Sequence, residues 1–586
     1  MIKENKNNFK SRIKVIWRFA CKYKRLFILS EICIIVLYAV PLLLPLNLAL
    51  LVNDVLSNTR YDLISTVLIN YLVLFIISFI FNILYSYFFQ SLINSYIVDV
   101  KNTLFTKVMF AKAGFLCSIN TGDIMNRIDN DANQFIYIIQ RNLFHFVNSI
   151  LMCLGIIYIV ALNNLVIAVM LVIAAILPII ITKIYGICIQ KITTQKREIE
   201  GNYDGRLFEM LKGMREIKLM CAKKFADSQI IKPLVNLIHK DNELKYIRFK
   251  SDKILDGVNL ITAIAIYGYS INLILNYEMS LGIFIAVIEY VNLLNRKMNW
   301  IFRIYLDWTA RKVSVDRVSE ILSLEQENME QGENIDEIET LSFKNVSFAY
   351  DVKNILEDIS FNIDKCSRVG IVGISGVGKT TVTSLITKLF SPRKGYIYIN
   401  GREIKSIKNS DIRSNIGIIG QDVFLFNESI RYNLTLGNDT LSDEELYKIC
   451  NEMKLDNIDL DAQALKLSGG QKQRILIARM ILSGKKFIIL DEATAALDVD
   501  TENIILDLIE KRSHDKTLVI ISHRLNTIKN CNKIIVINNG KIENTGTHEQ
   551  LLIKSEVYFK IFGQTVKEAA GLTAYKARCS PMQPGA

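Results

Sequence analysis

The sequence predicts a multidomain chain: an all-α transmembrane domain of six helices, followed by an α/β domain. Three observations carry this. Six long apolar runs lie between residues 26 and 294. Strand-like and helix-like runs then alternate to near the C-terminus, the pattern of an α/β layer. One strand-to-helix junction among them reads "GIVGISGVGKTT", Gly370–Thr381, a loop shaped for phosphate. Composition agrees: 51% of the 586 residues are hydrophobic, and the mean hydropathy of +0.25 exceeds that of ordinary soluble domains.

The apolar runs are Leu26–Val52, Leu63–Phe88, Leu143–Leu162, Leu165–Ile181, Val258–Leu275 and Leu281–Leu294. A bilayer crossing takes roughly 20 such residues, and the sixth is short before polar residues intrude. Charge orients them. Lys3, Lys6, Lys10, Arg12, Lys14, Arg18, Lys22, Lys24 and Arg25 precede the first run against a single Glu4, which marks the cytoplasmic side. The loops "NDVLSNTRYD", "NN" (Asn163–Asn164) and "NYEMS" carry little charge and fall outside. The connectors 89–142 and 182–257 are rich in Lys and Arg and fall inside. A multi-pass protein of the cell membrane with both termini cytoplasmic follows. The net charge of +12 is then explained without nucleic acid as a partner.

Five segments result: a basic amphipathic stretch, 1–25, lying along membrane lipid; the transmembrane domain, 26–324; an acidic linker, 325–339, "EQENMEQGENIDEIE"; the α/β domain, 340–563; and a tail, 564–586, of foreign composition, read as disordered or appended. Both inner connectors read as continuations of the spanning helices. Each holds a turn, the first at Gly122 and Asp123, the second within Gly201–Met220 around Asp204 and Phe208. The ten cysteines have no CxxC spacing, so neither zinc nor a disulfide framework is expected.

In the phosphate loop, Gly373, Gly376 and Gly378 let the backbone turn tightly, so that amides, with Ser375 among them, face the anion. Lys379 reaches the β- and γ-phosphates. Thr380 offers a hydroxyl to Mg²⁺, and Thr381 continues the helix whose N-terminus faces the nucleotide. This is the GxxxxGK[ST] form. A second run, "KKFIILDEAT", ends a buried strand with Asp491, suited to the Mg²⁺ shell, and Glu492, suited to orient the attacking water.

"LSGGQKQR" (Leu467–Arg474) resembles the signature of ATP-binding cassette (ABC) proteins. The resemblance spans most of 340–560. It makes the second domain an α/β P-loop ATP-binding cassette and the chain similar to an exporter-type half-transporter. It implies ATP and Mg²⁺ as cofactors. It also implies that Tyr350 stacks on adenine, that Gln421 joins the Mg²⁺ shell and faces the membrane domain, that Asp498 communicates across a dimer, and that His523 contacts the γ-phosphate. Ala495 stands where the family often has Ser. Ser468, Gly469, Gly470 and Gln471 are implied to close over ATP on a partner cassette. A homodimer is therefore expected, or a pair with a second half-transporter. One departure is the run "NIDLDAQALKLSGGQ", which lacks the longer Gly- and Glu-containing segment usual in family exporters. The expected function is ATP-driven export by alternating access, with a peptide as first-named cargo and lipid flipping or multidrug export as alternatives. A non-transport ABC ATPase acting on nucleic acid is disfavoured by the six runs. Glu289, inside the sixth run, is the candidate cargo-cavity residue; pairing with a neighbouring span is its competing reading.

Overall fold

A computed structural model describes residues 22–57, 61–118, 121–137, 143–350, 354–420, 423–436, 438, 440–456, 458–493, 507–508 and 515–570. The amphipathic stretch up to residue 21, Gln421, Asp498 and residues 571–586 lie outside them. The chain divides into two compact units, one holding residues up to Phe110 and Ile119–Glu325, the other Ala111–Ser118 and the residues from Gln326 onward.

The first unit is helical. Each of the six apolar runs falls on its own helix: α1 (Lys24–Leu50), α2 (Ile64–Met109), α3 (Leu143–Asn163), α4 (Leu165–Lys212), α5 (Lys223–Leu275) and α6 (Leu281–Leu322). Among the described residues, five helical stretches are long and apolar enough to cross a membrane; α6 is not one of them. Glu289, Arg296 and Lys297 interrupt its apolar run. α2, α4 and α5 have 46, 48 and 53 residues, far beyond one crossing, so the polar connectors do continue the helices. Side chains starting the turns stop the helices' neighbours cleanly: Asn164 and Ser280 each accept the amide three residues on, capping α4 and α6. α6 packs close on α1, because a Cβ on Gly282 would sit 2.3 Å from the Ala49 carbonyl oxygen. The shared core gathers Met152, Ile156, Ile167, Leu171, Ile266, Tyr290 and Leu294. On α2, Leu68, Phe75 and Phe79 stay exposed, a face fit for hydrocarbon.

One expected turn is displaced. Asp204 and Phe208 lie inside α4, not in a turn. The reversal comes at Gly213, a short helix Met214–Leu219, and Cys221 with φ 51°. Gly201 and Gly205 suggest a break in sequence, but a lone glycine costs a helix only about 1 kcal/mol, which the helix formers around them offset. In the first connector a helix runs from Thr121 to Asn126, with Gly122 and Asp123 in its first turn; residues 119–120 before it lie outside the described ones.

The second unit has two sheets. β1 (Leu341–Phe348), β2 (Leu356–Ile363), β4 (Lys394–Ile399) and β5 (Arg402–Glu403) form an antiparallel sheet in the order β2-β1-β4-β5. β3 (Arg368–Val372), β6 (Ile416–Ile419), β7 (Phe487–Asp491), β8 (Thr517–Ile521), β9 (Lys533–Asn538) and β10 (Lys541–Gly546) form a sheet in the order β10-β9-β3-β8-β7-β6. All its pairings but β9–β10 are parallel. Its central strands are apolar throughout because both faces are covered. Ile488, Leu490, Leu518 and Ile520 feed one core; Phe487, Ile489, Val519 and Ile521 feed the other. α7 (Lys379–Ile386) follows β3, α8 (Gly469–Leu482) carries the signature, and α9 (His548–Lys554) and α10 (Glu556–Ala570) close the described chain. The first residues of the expected tail are therefore helical to Ala570, as "KEAA" favours.

The acidic stretch is more than a spacer. Glu327, Glu330, Glu333, Glu337 and Glu339 pair with Arg413, Lys408, Arg402, Lys486 and Lys365 respectively. Glu333 also forms a parallel bridge with Ile407. The stretch is strapped along the α/β unit.

Candidate functional site

The sheet order builds the site. β3, β8 and β7 are neighbours, so the residues following each strand meet at one carboxyl edge, where α/β sheets bind ligands. The phosphate loop follows β3, His523 follows β8, and Asp491 with Glu492 ends β7.

Glycine is required in the loop for two reasons. A Cβ on Gly373 would lie 2.4 Å from the Ile537 carbonyl oxygen and 2.8 Å from Val377. Gly376 and Gly378 have φ of 84° and 99°, a region costly to any side chain. Ser375, Gly376 and Thr380 are exposed at the surface of the loop, while Lys379 and Thr381 are buried. The Lys379 ammonium donates to the carbonyls of Gly373 (2.8 Å) and Ile374 (3.2 Å). It also lies 3.0 Å from His523 Nε2, which is 3.2 Å from Glu492 Oε1. Thr380 hydrogen-bonds Asp491.

Burial sets the charges. It pushes the Asp491 carboxyl up, against the Thr380 hydrogen bond and the Lys379 charge. It lowers Lys379 despite the pull of Glu492 and Asp491. It also lowers His523, and the Lys379 ammonium adds to this. A neutral imidazole is thereby favoured, and its Nε2 accepts from Lys379. The His523 turn is held by Ser522, whose hydroxyl accepts from the Arg524 amide at 3.0 Å and from Thr527 at 2.7 Å. Glu492 has φ 52°, fixed by its amide donating to Ile521 O at 2.9 Å. A non-glycine residue there stores of order 1 kcal/mol or more, a feature that clusters at functional sites.

Tyr350 is half-exposed at the edge of the first sheet, set edge-on between Phe348 (5.0 Å) and Phe390 (5.1 Å), with its hydroxyl 3.5 Å from Thr381 Oγ1. The hydroxyl contact places the ring beside the phosphate loop. Phe390 was not legible as part of this cluster. At the signature, Ser468 caps α8. Its hydroxyl accepts from Gln471 N (3.3 Å) and the Gln471 side chain accepts from Ser468 N (2.9 Å). Gln471 therefore has a structural duty. Ser468 and Gly469 are exposed, Gly470 is half-buried, and a Cβ on Gly469 would meet nothing within 4 Å of its own chain. Gln421 and Asp498 fall outside the described residues.

In the membrane unit, Asp123 holds Arg127 Nε at 2.8 Å, and Arg127 reaches Glu320 of α6 at 2.7 Å, with Gly122 at the start of the same helix. Phe208 is 67% exposed, so it has no place in this unit's own core. Glu289 is half-buried on α6, with Tyr267 of α5 in its electrostatic reach. A polar cluster absent from the sequence reading joins four helices. His145 Nδ1 lies 3.2 Å from the Tyr38 hydroxyl and its Nε2 2.9 Å from that of Tyr85, while the Lys297 ammonium sits 3.8 Å from the Tyr38 ring centroid. Tyr38, Tyr85, His145 and Lys297 lie on four different helices, so no local pattern signals the group.

The donor set suits a Mg²⁺–nucleotide. The Thr380 hydroxyl and Asp491 carboxylate are adjacent hard oxygen ligands, and the cradle at Gly373 leaves only backbone to face a phosphate. Chemistry of this kind on one unit, with membrane-length helices on the other, defines an ATPase joined to a membrane domain. Comparison with known proteins agrees. The family model described as ABC transporter transmembrane region matches residues 27–298, and that described as ABC transporter matches 356–495. The multidrug resistance ABC transporter ATP-binding and permease protein of Lactococcus lactis is 30% identical, over 80% of this chain and 81% of its own. YgaD of Bacillus subtilis, an ATP-binding/permease protein by name, is 28% identical over 94% and 98%. A solved bacterial Atm1-family ABC exporter with ATP bound superposes with a TM-score of 0.84 at 21% identity, covering 92% of this chain and 98% of that one; it shares the fold. The chain belongs to the ABC exporters as a half-transporter, an N-terminal ABC membrane domain fused to a C-terminal ABC ATPase that drives transport.

Proposed function

We propose that two copies of the chain pair as a homodimer and export small amphiphilic molecules from the cytoplasmic side of the cell membrane. The observation that carries the catalytic part is the single cluster of Lys379, Asp491, Glu492 and His523 at one sheet edge. In this reading Lys379 leaves the Gly373 and Ile374 carbonyls to meet the β- and γ-phosphates. Thr380 and Asp491 hold Mg²⁺, which screens phosphate charge when bound, and Gln421 would complete that shell. Glu492 orients the water and accepts its proton, and His523 donates to the γ-phosphate. Tyr350 offers its ring to adenine.

The signature serves the opposite nucleotide. Ser468 bonds Gln471 rather than any residue of its own phosphate loop, and the space beside Gly469 is open to another chain. Every catalytic position carries a competent residue, which favours two equal sites over a pair with a weaker second half-transporter. ATP then favours the closed pair through its differential affinity for it. Asp498 would relay between the two sites. The turn at Gly122 and Asp123, and the exposed Phe208 near Asp204 on α4, would pass the motion to the spans. Lys- and Arg-rich inner connectors support cytoplasmic termini. For cargo, the name of the Lactococcus lactis relative, a multidrug resistance transporter, supports multidrug export over a peptide.

Glu492→Gln tests the core of this. The purified full-length variant is expected to bind ATP normally and to lose roughly 100-fold or more of its steady-state hydrolysis. Hydrolysis near that of the wild type would remove Glu492 from its role.

A further inference from the structure

Tyr350 lies two residues past the end of β1, so no strand pairing orients its ring. The residue is 47% exposed, and on irregular backbone such a side chain is free to change rotamer unless neighbours stop it. Two rings do. Phe348, the last residue of β1, is buried in the core and meets Tyr350 at 5.0 Å and 88°. Phe390 meets it at 5.1 Å and 87°. The two phenylalanines also touch, at 5.5 Å, so the three rings close a triangle of the edge-on contacts that aromatic pairs prefer.

Phe348 belongs to the core in any case. Phe390 is brought there by a turn that the chain secures separately. α7 ends at Ile386, and Lys388 reverses the chain with φ 52°, a left-handed position usually given to glycine. The Leu389 and Phe390 amides then fold back on Ser384 O, at 3.0 and 3.3 Å, and Arg393 N donates to Ser347 O at 2.9 Å, which ties the turn to β1 beside Phe348. The Lys388 ammonium donates to Ile407 O at 2.6 Å. Arg413 caps the Thr387 and Lys388 carbonyls at 3.3 and 3.2 Å, while Glu327 grips its guanidinium. The place of Phe390 is therefore fixed from β1, from the Ile407 backbone and from the acidic stretch at once.

We infer that Phe390 is a positioning residue for the nucleotide base: it holds the Tyr350 ring in the attitude that receives adenine. α7 then serves the nucleotide from both ends. Lys379 and Thr380 open it at the phosphates, Thr381 touches the Tyr350 hydroxyl, and the turn after its last residue carries the ring that steadies the base platform. A platform held in advance loses less freedom when a base stacks on it. The inference rests on the reading that Tyr350 takes the adenine.

The test uses the purified full-length chain and two probes with Mg²⁺, a non-hydrolysable ATP analogue and inorganic tripolyphosphate, titrated by calorimetry. Tripolyphosphate has no base, so it reads the phosphate loop alone. Phe390→Leu is expected to weaken the analogue about fivefold, the scale of one aromatic pair, and to leave tripolyphosphate unchanged. In turnover, KM for ATP should rise by a similar factor while kcat holds. Phe390→Tyr, which keeps a ring, should match the wild type. In a Tyr350→Leu background, Phe390→Leu should cost nothing further, because the ring it positions is gone. Equal weakening of both probes would mean damage to α7 and overturns the inference. So does a full additional loss in the Tyr350→Leu background, or an unchanged Phe390→Leu where Tyr350→Leu alone weakens the analogue. If Tyr350→Leu itself leaves the analogue's affinity intact, the adenine reading fails and takes the inference with it.

Discussion

At Gly373 a single methyl decides whether the phosphate loop can close, because the Ile537 carbonyl oxygen would be 2.4 Å away. The Ile537 backbone cannot yield, and the Val377 side chain crowds the same methyl. Gly373→Ala is expected to abolish nucleotide binding and lower the unfolding temperature. Gly376→Ala, with open space but φ 84°, should cost only about 1–2 kcal/mol; nucleotide fluorescence and thermal unfolding separate the two. Asp491 gives a pH prediction. Its carboxyl is raised by burial, so the unfolded chain ionises it first. Its ionised form therefore destabilises the nucleotide-free protein increasingly as pH rises through that interval, and fully above the folded-state value. Asp491→Asn should then raise the unfolding temperature at pH 7 while ending hydrolysis, and the gain should fade as pH drops toward the ordinary aspartate range. A loss of stability at pH 7 would contradict the burial argument. The residues of this site were legible from sequence because each belongs to a short contiguous pattern. Phe390 and His145 were not, since their partners lie on other elements.

Among the elements, the acidic strap separates strong pairs from weak ones. Arg413 grips Glu327 with two nitrogens, at 2.7 and 3.1 Å, and also donates to the carbonyls of Thr387 and Lys388 just after α7. Both side chains of that pair are largely covered, whereas Arg402 and Glu333 are 56% and 60% exposed. Glu327→Gln should therefore destabilise the α/β unit by about 1–3 kcal/mol. Glu333→Gln should cost between nothing and about 1 kcal/mol, less still in high salt. Thermal unfolding in low and high salt measures both, and equal effects would discount the strap. The sequence shows an acidic run at 325–339 by charge alone. It does not show the basic partners, which are scattered between Lys365 and Lys486. The misplaced turn around Asp204 has the same origin. Glycine marks where a helix can break, but neighbouring helix formers and packing on α5 decide whether it does.

For the molecule as a whole, the proposed two-site dimer makes a prediction that no single chain can meet. Lys379→Ala disables a chain's own phosphate loop, and Gly469→Asp puts a carboxylate where the opposite nucleotide would sit. Each variant alone should be inactive. A mixed pair, however, joins the sound loop of one to the sound signature of the other, restoring one site in two. Mixing the variants before reconstitution should recover a measurable fraction of ATP hydrolysis. A mixture as dead as its parents would mean that the sites are not shared between copies.

The amino-acid sequence by itself determined the membrane helices, the cassette and the motifs that hold the proposed catalytic residues. Those depend on local periodicity and on contiguous motifs, which act over a few residues. Tertiary structure alone decided what the motifs meet: the Lys379–His523–Glu492 cluster and the strap. These contacts join residues up to 149 positions apart, and only the order in which strands and helices pack brings such residues within a few ångströms of one another.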